Sequence, residues 1–348
     1  MTELPRSWRS PGDRFSIRWH RRTLTICLAL AALLLPLGVI AMMTGSYPVD
    51  LAAVWPALSG DGDPRIERVL EGIRLPRYVG GVVVGMSLGM SGAVFQTISR
   101  NPLGSPDIIG FVTGAATGAI VAIIVFEAPA PVVSAAAVVT GVGTAVVVAA
   151  LTVGPGGSGG YRLVLIGVGV GALLTAVNDL LLTRSQRDDA ITAQIWLVGT
   201  LNARGWDEVL PALVALLVLV PLLLTLHRGL TALELGDDMA RQTGVAVTAV
   251  RLGAMAVAVA LAAFATATAG PIAFVALAAP QLVSRLARSS SLPLLGSGLM
   301  GAVLLVCADL LSQYLPLSFS APVGLVTGVL GGVYLLWVLS QNRTEGRR

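Results

Sequence analysis

Polar residues that could bind a partner are concentrated in a short island, residues 232–248, between two long apolar stretches. Asp237 and Asp238 stand at a predicted helix start, where the helix dipole favours acidic side chains. Arg241 follows one turn later, and Gly244 predicts the end of the helix. A short, capped, charged helix suits a docking element that receives another protein. A plain polar loop is the alternative.

Residue types that catalysis needs are scarce in this chain. All 23 basic residues are arginine, so the chain lacks the lysine of a Walker-type phosphate loop and cannot itself be such an ATPase. Cys27 and Cys307 both lie inside apolar runs, which predicts small core residues rather than a disulfide or a metal pair. We therefore expect a chain that is not an enzyme and holds no cofactor or metal.

A second polar pair, Arg74 and Arg77, precedes a glycine-rich apolar run. Residues three apart project together on a helix, and the forked guanidinium suits the carboxylates of a partner protein. Snorkelling of two arginines at a membrane surface explains the pair equally well. Asn178, Asp179 and Asp309 lie near the ends of apolar runs, where either a functional or a solvated interfacial role is open.

Composition identifies the elements that must position these residues. The chain of 348 residues is 55% hydrophobic and 12% charged, with a mean hydropathy of +0.82, which is typical of an all-α polytopic membrane protein. About ten transmembrane helices are predicted, at residues 23–43, 78–98, 108–126, 131–153, 163–183, 208–227, 250–269, 271–287, 293–312 and 321–340. The run at 271–287 is short and interrupted by proline, so its path is uncertain.

Charge distribution predicts the orientation of the chain. Residues 1–22 form an arginine-rich leader that the positive-inside rule places in the cytoplasm. We expect a single transmembrane domain over 23–340 and a cytoplasmic tail over 341–348, so that both termini and the island at 232–248 face the cytoplasm. Glycines spaced as in Gly85-x-x-x-Gly89 predict close helix packing, with pore lining as the alternative.

Several motifs together resemble the permease family of ATP-binding-cassette (ABC) importers for iron–siderophore complexes, haem and cobalamin. They are Ile73-Arg74-Leu75-Pro76-Arg77, Gln96, Arg100-Asn101-Pro102-Leu103, Leu235-Gly236-Asp237-Asp238-x-Ala240-Arg241-x-x-Gly244, Ala269-Gly270-Pro271-Ile272-x-Phe274, Ala308-Asp309 and Pro322-Val323-Gly324. The order and spacing resemble a permease subunit of the ferric-enterobactin type most closely. Gln281 departs from the pattern, because the family usually has histidine there.

The resemblance implies a type II ABC importer permease fold in the bacterial cytoplasmic membrane. It implies that a short coupling region, about 233–248, contacts an ATPase subunit that uses the ATP; its residues are Leu235, Gly236, Asp237, Asp238, Ala240, Arg241 and Gly244. It also implies that Arg74 and Arg77 dock a substrate-binding protein outside and that Asn101 and Leu103 constrict the translocation path. Gln313 stands where some members carry a third docking arginine.

The expected partners are two ATPase subunits, a second permease subunit, an extracytoplasmic binding protein and the lipid bilayer, with no nucleic acid. The expected substrate is a ferric siderophore, with cobalamin or haem as alternatives. A transporter driven by an ion gradient is the alternative from another class. It would need acids within its spans and internal repeats, and the sequence offers little of either.

Overall fold

The structure is a computed structural model that describes residues 6–9, 16–19, 21–152, 160–288, 293–314 and 321–345. Its helices are α1 Arg21–Met43, α2 Leu51–Ser59, α3 Pro64–Val69, α4 Leu75–Ser99, α5 Phe111–Ile124, α6 Ala130–Thr152, α7 Gly160–Arg184, α8 Arg187–Val198, α9 Trp206–Thr225, α10 His227–Glu234, α11 Asp237–Gln242, α12 Val247–Ala269, α13 Val275–Ala287, α14 Leu294–Tyr314 and α15 Val323–Glu345. A π turn, Leu70–Arg74, joins α3 to α4, and a 3-10 turn, Pro106–Ile109, precedes α5.

The predicted leader contains a short antiparallel ribbon. Its strands are β1, Arg6–Arg9, and β2, Ser16–Trp19, with Arg6 opposite Trp19. The remaining leader positions before α1 lie outside the described residues, as do residues 346–348 of the predicted tail. The described part of that tail continues α15 to Glu345.

Ten apolar helices confirm the predicted all-α membrane architecture within the described part of the chain. Seven are long and apolar enough to span a membrane, and three shorter apolar helices accompany them at Phe111–Ile124, Val275–Ala287 and Val323–Tyr334. The doubtful run at 271–287 is helical only from Val275, because Phe274 has a φ of +70° and the segment before it is not helical. Thirteen residues rise about 20 Å, less than the ~30 Å hydrocarbon layer.

Helix α4 lies at the centre of the bundle and packs against α9, α12, α13 and α14. Its glycines permit that packing: a Cβ added to Gly85 would lie 2.4 Å from the Gly301 carbonyl oxygen. A Cβ added to Gly89 would lie 2.1 Å from the Ser297 carbonyl oxygen. Both distances are far below van der Waals contact, so the small-residue spacing on α4 serves close packing against α14.

The outer helices bury much less of their surface than α4 and α14 do. Helices α1, α6, α7 and α9 each keep several large apolar side chains exposed, such as Leu35 on α1 and Leu173 on α7. Apolar surface of this extent does not face water in a stable protein. These faces are therefore available to lipid or to another membrane chain.

Three helix ends meet at a backbone junction formed by three glycines. Gly199 follows α8, Gly270 follows α12, and Gly324 lies in the first turn of α15. The Thr200 amide donates to the Ala269 carbonyl oxygen at 2.7 Å, and the Gly324 amide donates to the Gly199 carbonyl oxygen at 3.2 Å. Two motifs that are distant in sequence, Gly270-Pro271 and Pro322-Val323-Gly324, therefore meet in the fold.

Substituting alanine for Gly324 is expected to prevent stable folding. The new Cβ would lie 1.7 Å from the Val198 carbonyl oxygen, so the start of α15 would have to move, at a cost of about 3 kcal/mol. The measurement is the yield and melting temperature of the purified chain in detergent. Gly328→Ala is the matched control, because a Cβ there meets no atom within 4 Å. Equal melting temperatures for the two variants would contradict the junction.

Candidate functional site

The predicted site residues lie at the two ends of α4. The arginine pair stands at its beginning, and the turn with Asn101 and Leu103 follows its end. The 25 residues of α4 rise roughly 37 Å, which is enough to cross the membrane. The arginine pair and the turn with Asn101 and Leu103 are therefore separated by the full length of α4.

The predicted docking element consists of two helices, α10 and α11. Helix α10 begins earlier than the predicted coupling region, at His227, and α11 covers Asp237–Gln242. Gly236 separates them with a φ of +103° and a ψ of 155°, a conformation that is essentially restricted to glycine. Gly244, with a φ of +81°, follows α11 at the predicted stop. The sequence therefore predicted both ends of α11, because both depend on local backbone chemistry.

One face of this helical pair is anchored and the other is open. Ala240 is fully buried, and Leu233 is nearly so, against the core. Leu235 is 68% exposed and Met239 is 53% exposed. Since exposed large apolar side chains next to charges are typical of contact surfaces, the open face is suited to receive a partner.

The two acids at the start of α11 have different surroundings. Asp237 accepts hydrogen bonds from Arg100 at 2.9 Å and from Arg251 at 2.8 Å, both at its Oδ1 atom. Among the described residues, Asp238 bonds only within its own helix, where Arg241 donates to it at 3.1 Å. The side chains of Asp238 and Arg241 are 92% and 58% exposed, so both remain accessible to another protein.

The turn after α4 is ordered by its own hydrogen bonds. Arg100 ends α4 with a φ of +49°, and the Asn101 amide donates to the Gln96 carbonyl oxygen at 3.2 Å. The Oδ1 atom of Asn101 accepts the Leu103 amide at 2.9 Å, and the Asn101 carbonyl oxygen accepts the Gly104 amide at 2.8 Å. This hydrogen-bonded turn holds the Leu103 side chain half exposed.

Gln281, the departure from the family pattern, is partly buried and forms an amide pair with the buried Gln96. Gln281 Nε2 donates to Gln96 Oε1 at 2.6 Å, and Gln96 Nε2 donates to the Leu277 carbonyl oxygen at 3.0 Å. The pair connects α13 to α4 with neutral groups. A histidine at the same place would bring a group that titrates near neutral pH.

At the beginning of α4, Arg74 and Arg77 do not project together, contrary to the expectation from their spacing. Arg74 is buried and donates to the carbonyl oxygens of Met42 and Tyr47, beside the end of α1. Arg77 reaches the opposite neighbour, α14, where its Nη2 and Nε atoms bind Asp309 at 2.8 and 2.9 Å. Positions three apart differ by about 60° around a helix, which lets long side chains find different partners.

Asp309 is the outer-end residue whose role remained open in the sequence. Its side chain is 9% exposed, and besides Arg77 it accepts a hydrogen bond from Gln313 Nε2 at 3.0 Å. Arg77 also donates to the Asn202 side chain at 3.3 Å. A forked pair of this kind is strong, so Asp309 fixes the orientation of Arg77. The sequence signal that could have revealed this ion pair was an acid near the end of one apolar run and an arginine just before another, at the same predicted depth.

The other polar pair near membrane depth lies on α7. Asn178 is 7% exposed, and within the described part of the chain its Oδ1 atom has no hydrogen-bond partner. Asp179, the next residue, is exposed.

Comparison with known proteins gives relatives along nearly the whole chain. The chain is 39% identical to the ferric enterobactin transport system permease protein FepG of Escherichia coli over 322 residues, which are 92% of this chain and 97% of the relative. It is 35% identical to the cobalamin import system permease protein BtuC of Halobacterium salinarum, over 91% of this chain and 88% of the relative.

A solved structure gives the same result for the fold. A metal-chelate type ABC transporter in an inward-facing conformation matches with a TM-score of 0.82 and 27% identity, covering 91% of this chain and 99% of the other. Residues 32–341 match the FecCD transport family. The chain is a multi-pass membrane protein, and it belongs to the FecCD transport family.

Proposed function

We propose that this chain is the membrane-spanning permease subunit of an ABC importer that carries a ferric siderophore into the cytoplasm. The observation that carries the proposal is 39% identity over 92% of the chain to a permease of a ferric enterobactin system. The separation of two polar surfaces by the length of α4 supports it, because an importer needs one surface for a binding protein and one for an ATPase. A cobalamin permease at 35% identity keeps cobalamin as the second substrate candidate.

The assembly follows from the family and from the surfaces of the chain. The exposed face of α10 and α11 would bind an ATPase subunit in the cytoplasm, where ATP is available, and both termini would lie on that side. The exposed apolar faces of α1, α6, α7 and α9 leave room for a second permease subunit, either a copy of this chain or a related one. Arg77 would contact a binding protein outside, while Arg74 holds the outer segment beneath it.

The translocation path would be constricted by Asn101 and Leu103 near the cytoplasmic side. The stiffness of their turn supports that role, because a constriction must keep its shape until the assembly moves it. ATP binding and hydrolysis on the partner would then change the equilibrium between closed and open paths through differential contacts with this chain. The chain itself performs no bond-breaking step in this proposal.

The test is purification of the tagged chain in mild detergent, followed by identification of the proteins that accompany it. We expect a Walker-type ATPase to accompany the chain. Proteoliposomes that contain the complex should accumulate radiolabelled ferric siderophore only when ATP is supplied on the side of the membrane that the ATPase subunits face. Uptake of cobalamin instead of a ferric siderophore would identify cobalamin as the substrate. Uptake without any ATPase, driven by an imposed ion gradient, would overturn the importer in favour of a gradient-driven transporter.

Reversing the exposed charge of α11 is expected to weaken the ATPase contact. Arg241→Glu would place three acids on a short helix and remove the positive group that faces outward, so ATPase co-purification should fall by about tenfold. The control is Arg184→Glu, an exposed charge reversal at the end of α7. Undiminished ATPase recovery with Arg241→Glu would remove this residue from the contact.

A further inference from the structure

We propose that Asp237 is the joint through which α11 moves the turn after α4, so that ATPase motion reaches the translocation path. The inference rests on the proposed function, since it presumes a partner that pushes on α11. It assigns roles to Arg100 and Arg251 that neither the motifs nor the family match assign. It also separates Asp237 from Asp238, which follows it directly on the same helix.

The contacts at Asp237 join three elements that are far apart in sequence. Arg100 lies in the turn after α4, Asp237 begins α11, and Arg251 lies in the first turns of α12. The two guanidinium groups approach one carboxylate oxygen at 2.9 and 2.8 Å. Ion pairs of this length are charge-assisted hydrogen bonds, which are stronger than those between neutral groups.

Burial distinguishes these ion pairs from ordinary surface pairs. The Arg251 side chain is 7% exposed and the Asp237 side chain is 21% exposed. Both groups are thus largely withdrawn from water, where solvent screening of their interaction is weak. The Arg100 side chain is 45% exposed, so the Arg100–Asp237 pair is the more solvent-accessible of the two ion pairs.

Asp238 provides an internal comparison. It shares the first turn of α11 and hence the same favourable interaction with the helix dipole. Its side chain is 92% exposed and its partner is Arg241 of the same helix, so it joins α11 to nothing else in the described structure. An effect specific to Asp237 therefore reports the connection between elements rather than helix stability.

The contacts near Asp237 connect the docking element to the end of α4 and to the turn that follows it. Arg100 immediately precedes Asn101, and the turn that it begins holds Leu103 half exposed. Thr97, one turn earlier on α4, lies 3.4 Å from the Glu234 carboxylate of α10. Helix α10 thus contacts the last turn of α4 at Thr97, and α11 contacts Arg100, the residue that ends α4. A displacement of α11 acts on the turn through the Arg100–Asp237 pair.

The first experiment compares Asp237→Asn with Asp188→Asn in proteoliposomes that contain the complete transporter with its ATPase. Asp188 is an exposed acid in the first turn of α8. Asparagine preserves the size of the side chain and removes its charge. For Asp237→Asn we expect siderophore uptake per ATP hydrolysed to fall about tenfold or more, while ATP hydrolysis and ATPase binding continue. For Asp188→Asn we expect uptake per ATP close to that of the wild type.

A second variant isolates the contact with the turn. Arg100→Gln leaves the Asp237–Arg251 pair in place and should give the same loss of coupling as Asp237→Asn. The double variant should lose little more coupling than either single variant, because both single variants remove the Arg100–Asp237 interaction. Additive losses, or an Arg100→Gln variant that transports normally, would overturn the joint.

A distance measurement between α11 and the turn after α4 tests the joint without measuring transport. Spin labels at Leu103→Cys and Met239→Cys, both exposed sites, would be placed in a Cys27→Ala, Cys307→Ala background of the assembled transporter. The distance distribution between them should keep its width on ATP binding in the wild type and broaden in Asp237→Asn. Equal distributions in both proteins would overturn the joint.

Failure of the proposed function gives a different result. A wild-type complex without ATP-dependent uptake would refute the importer itself, whatever the variants do. A wild-type complex that transports, together with an Asp237→Asn variant that transports equally well per ATP, would refute only the joint.

Discussion

Replacing Gly236 with proline is expected to abolish uptake while leaving the chain in the membrane. Gly236 has a φ of +103°, whereas proline is held near −65°, so the two helices of the docking element could not keep their present angle. The substitution also removes an amide that donates to the Leu233 carbonyl oxygen at 3.1 Å. Rotation of α11 would carry Asp237 away from Arg100 and Arg251. The measurement is siderophore uptake alongside the amount of chain in the membrane fraction.

Graded substitutions separate this effect from general damage. Gly236→Ala should reduce uptake less than proline does, because strain in this backbone region costs about 1–3 kcal/mol. Gly60→Ala is the control at the outer surface, where a glycine with a φ of +81° has no atom within 4 Å of an added Cβ. If Gly236→Pro transported as well as Gly60→Ala, the angle between α10 and α11 would be irrelevant to transport.

Breaking the Arg77–Asp309 pair is expected to destabilise the outer end of the bundle. The two side chains are 18% and 9% exposed, so removing either one leaves the other charge nearly buried without its partner. Such a loss costs about 3 kcal/mol or more. Arg77→Gln and Asp309→Asn should each lower the melting temperature in detergent, whereas the double variant should recover part of the loss.

The same pair bears on docking of the binding protein. With Arg77→Gln we expect weaker capture of the loaded binding protein and a smaller dependence of that capture on salt. The control is Arg65→Gln, which removes an exposed charge at the same end of the molecule. Reduced stability without any change in capture would show that Arg77 serves only to hold α4 against α14.

Features that depend on residues close in sequence were predictable from the sequence. The composition required membrane helices, and runs of about twenty apolar residues located most of them. The limits of α11 were predictable because Gly236 and Gly244 act on their own backbone. The motif Arg100-Asn101-Pro102-Leu103 predicted a turn for the same reason.

Features that depend on contacts between distant residues were decided only by the tertiary structure. The spacing of Arg74 and Arg77 suggested one common surface, but their partners lie on α1 and α14, on different sides of α4. No local pattern distinguishes Asp237 from Asp238, because both have the same charge and the same place near a helix start. The distinction arises when packing brings Arg100 and Arg251 to one of the two carboxylates.

The sequence alone therefore determined the class of protein, the approximate position of its helices and the family that it resembles. Local apolar length, backbone preferences and short motifs suffice for these, since each acts within a few residues. The tertiary structure decided which arginines are buried, which acids join helices and where the glycines at the ends of three helices meet. These depend on close packing over the whole bundle, where a methyl group at Gly324 or a rotation of α4 changes which atoms touch.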